Sequence, residues 1–150
     1  MRTDKKSGFS LVEVTVTISI FAVLTSMSML SFNDIRNNIS LKNDVNELAN
    51  SLAYAQNQAI NSFAGLKHGI YFQTDRYTIF SGDSYALAAS KNEIYFRNGV
   101  KLFSPAGTEV IFNRLTGASH DQTIIIGTSP ENQLAIKINS IGKISSDQHE

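Results

Sequence analysis

Residues 8–32 read GFSLVEVTVTISIFAVLTSMSMLSF, and this stretch organises the rest of the chain. From Phe9 to Phe32 it runs 24 residues with one charge, Glu13. As an α-helix it would be roughly 36 Å long at 1.5 Å per residue, enough to cross a bilayer core of about 30 Å. A membrane span over 9–32 is therefore expected. The carboxylate is the awkward feature, because it costs roughly 2.5–3.5 kcal/mol if it lies deep in such a span. A lone carboxylate in lipid must find a cation or take up a proton.

The residues before it set the orientation. Arg2, Lys5 and Lys6 stand against Asp4 in a short leader. Basic residues beside an apolar span hold that end in the cytoplasm, so the remainder is expected outside. A cleavable secretory signal has a shorter apolar stretch and a small-residue cut site after it. Here the run is longer, and no clear Ala-x-Ala site follows. A plain signal anchor accounts for the hydropathy but not for a glycine at the cytoplasmic edge, followed by Phe9, then Glu13.

Lys6-Ser7-Gly8-Phe9-Ser10-Leu11-Val12-Glu13 resembles the class III signal of type IV pilins and type II secretion pseudopilins. The resemblance implies cleavage after Gly8 by prepilin peptidase and N-methylation of Phe9, the new first residue. It also implies an assembly role for Glu13. Phe9 and Glu13 are four residues apart and share a helix face. Within a fibre, Glu13 of an incoming subunit would neutralise the Phe9 amine of its neighbour. The family often has a proline near the end of this segment. Leu30 stands there, and no proline precedes Pro105, so a continuous helix is expected. The hydroxyls of Thr15, Thr17, Ser19, Thr25, Ser26, Ser28 and Ser31 are read as helix-packing groups that bond carbonyls one turn back.

Beyond Phe32 the chain turns polar but keeps a helical rhythm. Ile35, Ile39, Val45, Leu48, Leu52, Ala55, Ala59 and Phe63 recur mostly at steps of three and four, with a gap at Lys42. This predicts an amphipathic continuation of the helix over 33–65, stopped at Gly65, whose stripe docks on a sheet. Six asparagines between Asn33 and Asn50 weaken its first turns.

From residue 66 the period switches to two. Strands are expected at 68–73 and 76–81 as a hairpin, then at 93–96, 100–103, 109–113, 122–128, 134–139 and 143–145. Residues 82–92 read as a loop. The expected fold is α+β: one long N-terminal helix packed on an antiparallel sheet domain over 66–150, after a leader at 1–8. This order, with the Ile70-Tyr71-Phe72 strand, Gly117 after Val110-Ile111-Phe112-Asn113, and the closing run from Ile136 to Ile144, resembles the minor pseudopilin H branch and the FimT/FimU-type minor pilins.

Composition narrows the chemistry. There is no cysteine, so no disulfide and no thiol site. The net charge is zero over 150 residues. Residues 33–150 carry ten Lys and Arg against eleven Asp and Glu, a net of −1. No global field draws this part to nucleic acid. Arg97, Lys101 and Arg114 could cluster after folding, but the end from Gly142 to Glu150 has one lysine and two acids. His68, His120 and His149 are too scattered for a metal site, and His120-Asp121 reads as an exposed turn. Asp83, Asp121 and Asp147 form no dense run of oxygen ligands for calcium. No nucleophile elbow, phosphate loop or dinucleotide fingerprint is present.

The reading is a non-enzymatic structural subunit without cofactor or metal, in the inner membrane and then in a pseudopilus or type IV pilus, near the tip. The resemblance implies prepilin peptidase, other pilin or pseudopilin subunits and an inner-membrane assembly platform as partners. A DNA-binding minor pilin and a membrane-tethered domain that never polymerises are the rival readings.

Overall fold

The computed structural model describes residues 8–61, 63–97 and 99–147; the side chains of residues 27–32, 34, 63 and 147 lie outside that description. Helix α1 covers Leu11–Ile60. The chain divides into two compact units, one ending at Arg36 and one beginning at Asn37.

In the first unit the apolar side chains from Leu11 to Leu24 are exposed. Their hydroxyl neighbours are satisfied within the helix. Thr17 Oγ1 donates to the Glu13 carbonyl at 2.7 Å, Ser19 Oγ to that of Thr15 at 2.8 Å, and Thr25 Oγ1 to that of Phe21 at 2.8 Å. Thr15 and Ser26 bond three residues back instead, to Val12 and Val23. These hydroxyls therefore bring little unmet polarity to an apolar surface. Ser28, Ser31 and Leu30 have side chains outside the described residues. Among the described residues, no helix is long and apolar enough to cross a membrane. The apolar run continues in sequence through 27–32, so the expected span is covered only in part.

In the second unit α1 buries Leu41, Val45, Leu48, Leu52, Ala55 and Ala59. Their spacing alternates four and three, a single stripe of a 3.6-residue helix. Ile35 and Ile39, expected in this stripe, are 57% and 54% exposed. The reason is helical phase. Ile39 lies two residues, about 200°, from Leu41 and so faces the other way. The gap at Lys42 is where one apolar phase ends and another begins. α1 also stops at Ile60 rather than at Gly65. A 3-10 turn at Phe63–Gly65 follows, with positive φ at both Ala64 and Gly65.

Eight strands follow: β1 His68–Phe72, β2 Arg76–Ser81, β3 Ser90–Tyr95, β4 Lys101–Leu102, β5 Glu109–Phe112, β6 Gln122–Ser129, β7 Asn132–Ile138 and β8 Ile144–Asp147. They form not one sheet but two, each four-stranded, ordered β3-β2-β1-β5 and β4-β6-β7-β8, with every pairing antiparallel. Registers Ile70↔Ile79, Ile70↔Val110 and Ile124↔Ile136 align the inward side chains. Ile70, Phe72, Val110 and Phe112 from the first sheet join Ile124, Ile126, Ile136 and Ile138 from the second in one core with the α1 stripe. Two short sheets share a helix because each offers only a narrow apolar face, and α1 covers both.

β3 begins inside the stretch read as a loop. Ser90, Lys91, Asn92 and Glu93 are exposed, so no apolar alternation marks an edge strand that pairs with β2 alone. The segment from Gly82 to Ala89 is fastened by one aromatic. Tyr85 stacks on Tyr71 at 4.0 Å between ring centroids, meets Phe80 edge-on at 6.1 Å, and carries the Lys91 ammonium 4.0 Å from its ring centre. Its N–H donates to Glu109 at 2.9 Å. Lys91→Ala is expected to lower stability by ~0.5–1 kcal/mol in denaturant titrations, with Lys91→Arg close to wild type.

Candidate processing and assembly site

The three residues singled out at the N-terminus fall at the start of α1. The Val14 N–H donates to the Ser10 carbonyl at 3.2 Å, so helical bonding begins at Ser10. Gly8 and Phe9 precede it and are exposed, and a Cβ on Gly8 would meet nothing within 4 Å. The Gly8–Phe9 bond therefore sits on accessible, non-helical backbone. Glu13 lies in the first turn, with its side chain exposed. There the unpaired N–H groups of the helix end favour a negative charge. Phe9, Glu13, Val14, Thr17 and Ile18 line one shallow groove on the helix surface. Phe9 and Glu13 thus share a face, as a separation of four dictates.

The arrangement leaves a peptide bond accessible and a carboxylate exposed. Among the described residues, no group of three His, Asp or Glu could hold a metal. His120 and Asp121 are exposed, while His68 is buried with Nδ1 3.2 Å from Ser81 Oγ. His149 lies outside the described residues, as does the side chain of Asp147.

Two constellations in the second unit were missed. The first is Asp44, 3% exposed on the helix beside the core stripe. The Arg97 N–H donates to Asp44 Oδ2 at 2.8 Å, and the Arg97 guanidinium pairs with Asp44 Oδ1 and, at 3.1 Å, with Glu47. Burial pushes the Asp44 carboxyl above its usual range, and the bonds to Arg97 pull against that rise. No short-range pattern announces the pair, because Arg97 lies far along the chain. Arg97, one of three residues considered for nucleic acid, is committed to these carboxylates. The second is Gln56, whose Nε2 donates to the carbonyls of Gly117 at 3.0 Å and Gly142 at 2.8 Å. It draws two distant loops onto the last turns of α1. Nothing in the local pattern around an exposed-looking glutamine announces this.

The prokaryotic N-terminal methylation motif matches residues 3–29, a stretch that contains Gly8, Phe9 and Glu13. The described fold is similar to that of the minor pseudopilin EpsH from the type 2 secretion system of Vibrio cholerae. The two chains are 16% identical and superpose with a TM-score of 0.53, over 71% of this chain and 95% of the other. The chain carries an N-terminal methylation motif and shares the fold of a minor pseudopilin, and no curated protein sequence matches it significantly.

Proposed function

We propose that this chain is a minor pseudopilin or minor pilin, cut between Gly8 and Phe9 by prepilin peptidase and methylated on the Phe9 amine. Residues 9–32 hold it in the inner membrane, with residues 1–8, until their removal, on the cytoplasmic side and the domain from residue 66 outside. From there the assembly platform adds it to the fibre, near the tip. The observation that carries this reading is the methylation motif over 3–29, whose Gly8–Phe9 bond is free of the helix while Glu13 stands one turn inside it. Cleavage creates a cation at Phe9 on the face that holds Glu13. In an apolar fibre core, a neighbour's amine is the partner that removes the cost of that carboxylate.

Mass spectrometry of the protein from cells with the peptidase tests the first step. A mature chain that begins at methylated Phe9 is expected, and an intact Met1 would sink the processing claim. Glu13→Ala is expected to leave cleavage intact and to lower the fraction of subunit in sheared fibres by roughly tenfold or more, given the cost of an unpaired membrane charge. Unchanged incorporation would remove the assembly role of Glu13.

A further inference from the structure

A seam runs between α1 and the β2–β3 side of the first sheet. Two hollows lie along it and share Tyr54 and Ile79. One is an open groove of about 610 Å³ that reaches from Tyr54 back to Asn43 and the Arg97 side chain. The other is a more enclosed recess of about 360 Å³ that reaches from Tyr54 to His68, Ser90 and Asn92. Both have the size of small-molecule sites, roughly 300–1,000 Å³. Their helix wall is one face of α1: Asn43, Asn46, Asn50, Tyr54 and Gln58 stand three or four residues apart, beside the core stripe. Asparagine is a poor choice inside a helix, because its amide competes with the backbone bonds. These three asparagines are exposed, and among the described residues their amides bond to nothing in the fold. Tyr54 is 54% exposed and is held in place, since Gln58 Nε2 donates to its hydroxyl at 2.8 Å.

The sheet wall mixes the same chemistries. Ile79 is opposite Asn92 and Ser81 opposite Ser90 in the β2–β3 register. Of the Asp, Glu, Lys and Arg residues, only Glu47 and Arg97 line the seam, and they pair with each other at 3.1 Å. The seam thus holds no spare charge for an ion or a nucleic acid. It suits an uncharged chain that donates and accepts hydrogen bonds and also has a flat apolar face. Sugar hydroxyls meet the first need, because each side-chain amide both donates and accepts. The C–H face of a pyranose ring meets the second, against Tyr54 and Ile79. In the recess, Ala64, Leu66 and Ala89 lie near Asn92, which suits the methyl and the amide of an acetamido group. From Asn43 to Gln58 the helix rises about 22 Å, room for several sugars in line. An extended peptide would find its partners in the backbone of the open β3 edge rather than in these side chains.

We propose that this seam binds a neutral oligosaccharide with N-acetyl groups. Tyr54 is the platform for a sugar ring, Asn50 a partner for hydroxyls in the groove, and Asn92 the partner of an acetamido group in the recess.

The full-length chain, purified in a polyoxyethylene detergent that has no sugar headgroup, would be titrated calorimetrically with chitotetraose, the linear tetramer of N-acetylglucosamine. Saturable binding is expected, roughly tenfold tighter than that of cellotetraose, which lacks the acetyl groups. Tetra-alanine is expected not to bind. Tyr54→Ala should weaken chitotetraose binding roughly tenfold, and Asn50→Ala and Asn92→Ala roughly fivefold each. Asn57→Ala removes an exposed asparagine of α1 outside the seam and should bind as wild type. All four positions are exposed, so the variants should stay folded with melting temperatures near that of the wild type. Absence of saturable chitotetraose binding, equal affinity for cellotetraose, preference for tetra-alanine, or a loss in Asn57→Ala as large as that in Asn50→Ala would each overturn the proposal.

Discussion

Gly142→Ala is expected to destabilise the globular unit by about 3–5 kcal/mol, which for a domain of this size lowers the melting temperature by well over ten degrees. Gly142 has φ of 82°, where a side chain adds strain of about 1 kcal/mol. The larger cost is space. A Cβ would lie 2.1 Å from the Gly117 carbonyl oxygen and 2.4 Å from Gln56 Nε2. Neither atom can step aside freely. The carbonyl belongs to a loop bonded to α1 through Leu115, and the Gln56 amide is held by the two carbonyls it serves. Relief of the clash breaks the Gln56 bonds, each worth about 1 kcal/mol net and more where a carbonyl is left buried and unpaired. Gln56→Ala should reproduce only that part, about 1.5–3 kcal/mol. Gly65→Ala separates the remaining term: its φ is 69° and a Cβ meets nothing within 4 Å, so about 1 kcal/mol is expected. Denaturant unfolding of the detergent-solubilised chain, followed by tyrosine near-UV dichroism, ranks the three. A Gly142→Ala loss no larger than that of Gly65→Ala would show that the clasp relaxes at no cost.

The clasp also marks how far local sequence reasoning reaches here. Periodicity located α1 and most strands, because 3.6-residue and two-residue rhythms are properties of a short window. The β1–β2 hairpin was legible for the same reason: His68 to Phe72 and Arg76 to Ser81 alternate around a short polar turn. β3 was not, since an exposed edge strand has no apolar alternation to show. The division into two sheets was invisible as well, because it depends on β4 and β5 pairing with strands far along the chain. Phase was misjudged at Ile35 and Ile39, where a four-residue step continued an apolar rhythm on the wrong side of the helix. The N-terminal methylation motif over 3–29 was legible, since it is a short contiguous string. Asp44, Gln56 and Leu115 were not, since their significance lies in partners at Arg97, Gly117, Gly142 and Ala59.

Arg97→Ala should expose the cost of the buried carboxylate at Asp44. Wild-type Arg97 contributes an N–H and a guanidinium to a group that is 3% exposed, while its own side chain remains half in solvent. The substitution keeps the N–H bond and removes the cation. Breaking a buried pair by removal of one partner costs about 3–5 kcal/mol, and the open position of Arg97 reduces this to about 2–3 kcal/mol at neutral pH. The sign of the pH dependence follows from the direction of the shift. Asp44 is raised in the folded protein by burial, and loss of the Arg97 side chain removes the guanidinium bond and charge that lower it, while the lowering N–H bond remains. In the variant, the folded state then holds its proton to higher pH than the unfolded state, whose carboxyl titrates near about 3.9. Stability is lost as pH rises from that value through the folded pKa, because the unfolded chain releases the proton first. The deficit of Arg97→Ala relative to wild type should accordingly be small near pH 4 and fully developed by pH 7, as read from paired denaturant titrations. In an Asp44→Asn background there is no carboxylate to strand, so the Arg97→Ala cost should shrink and lose its pH dependence. A deficit that grows toward acid pH, or one that persists unchanged in the Asp44→Asn background, would show that Arg97 acts through its packing or through Glu47 and not through the charge at Asp44.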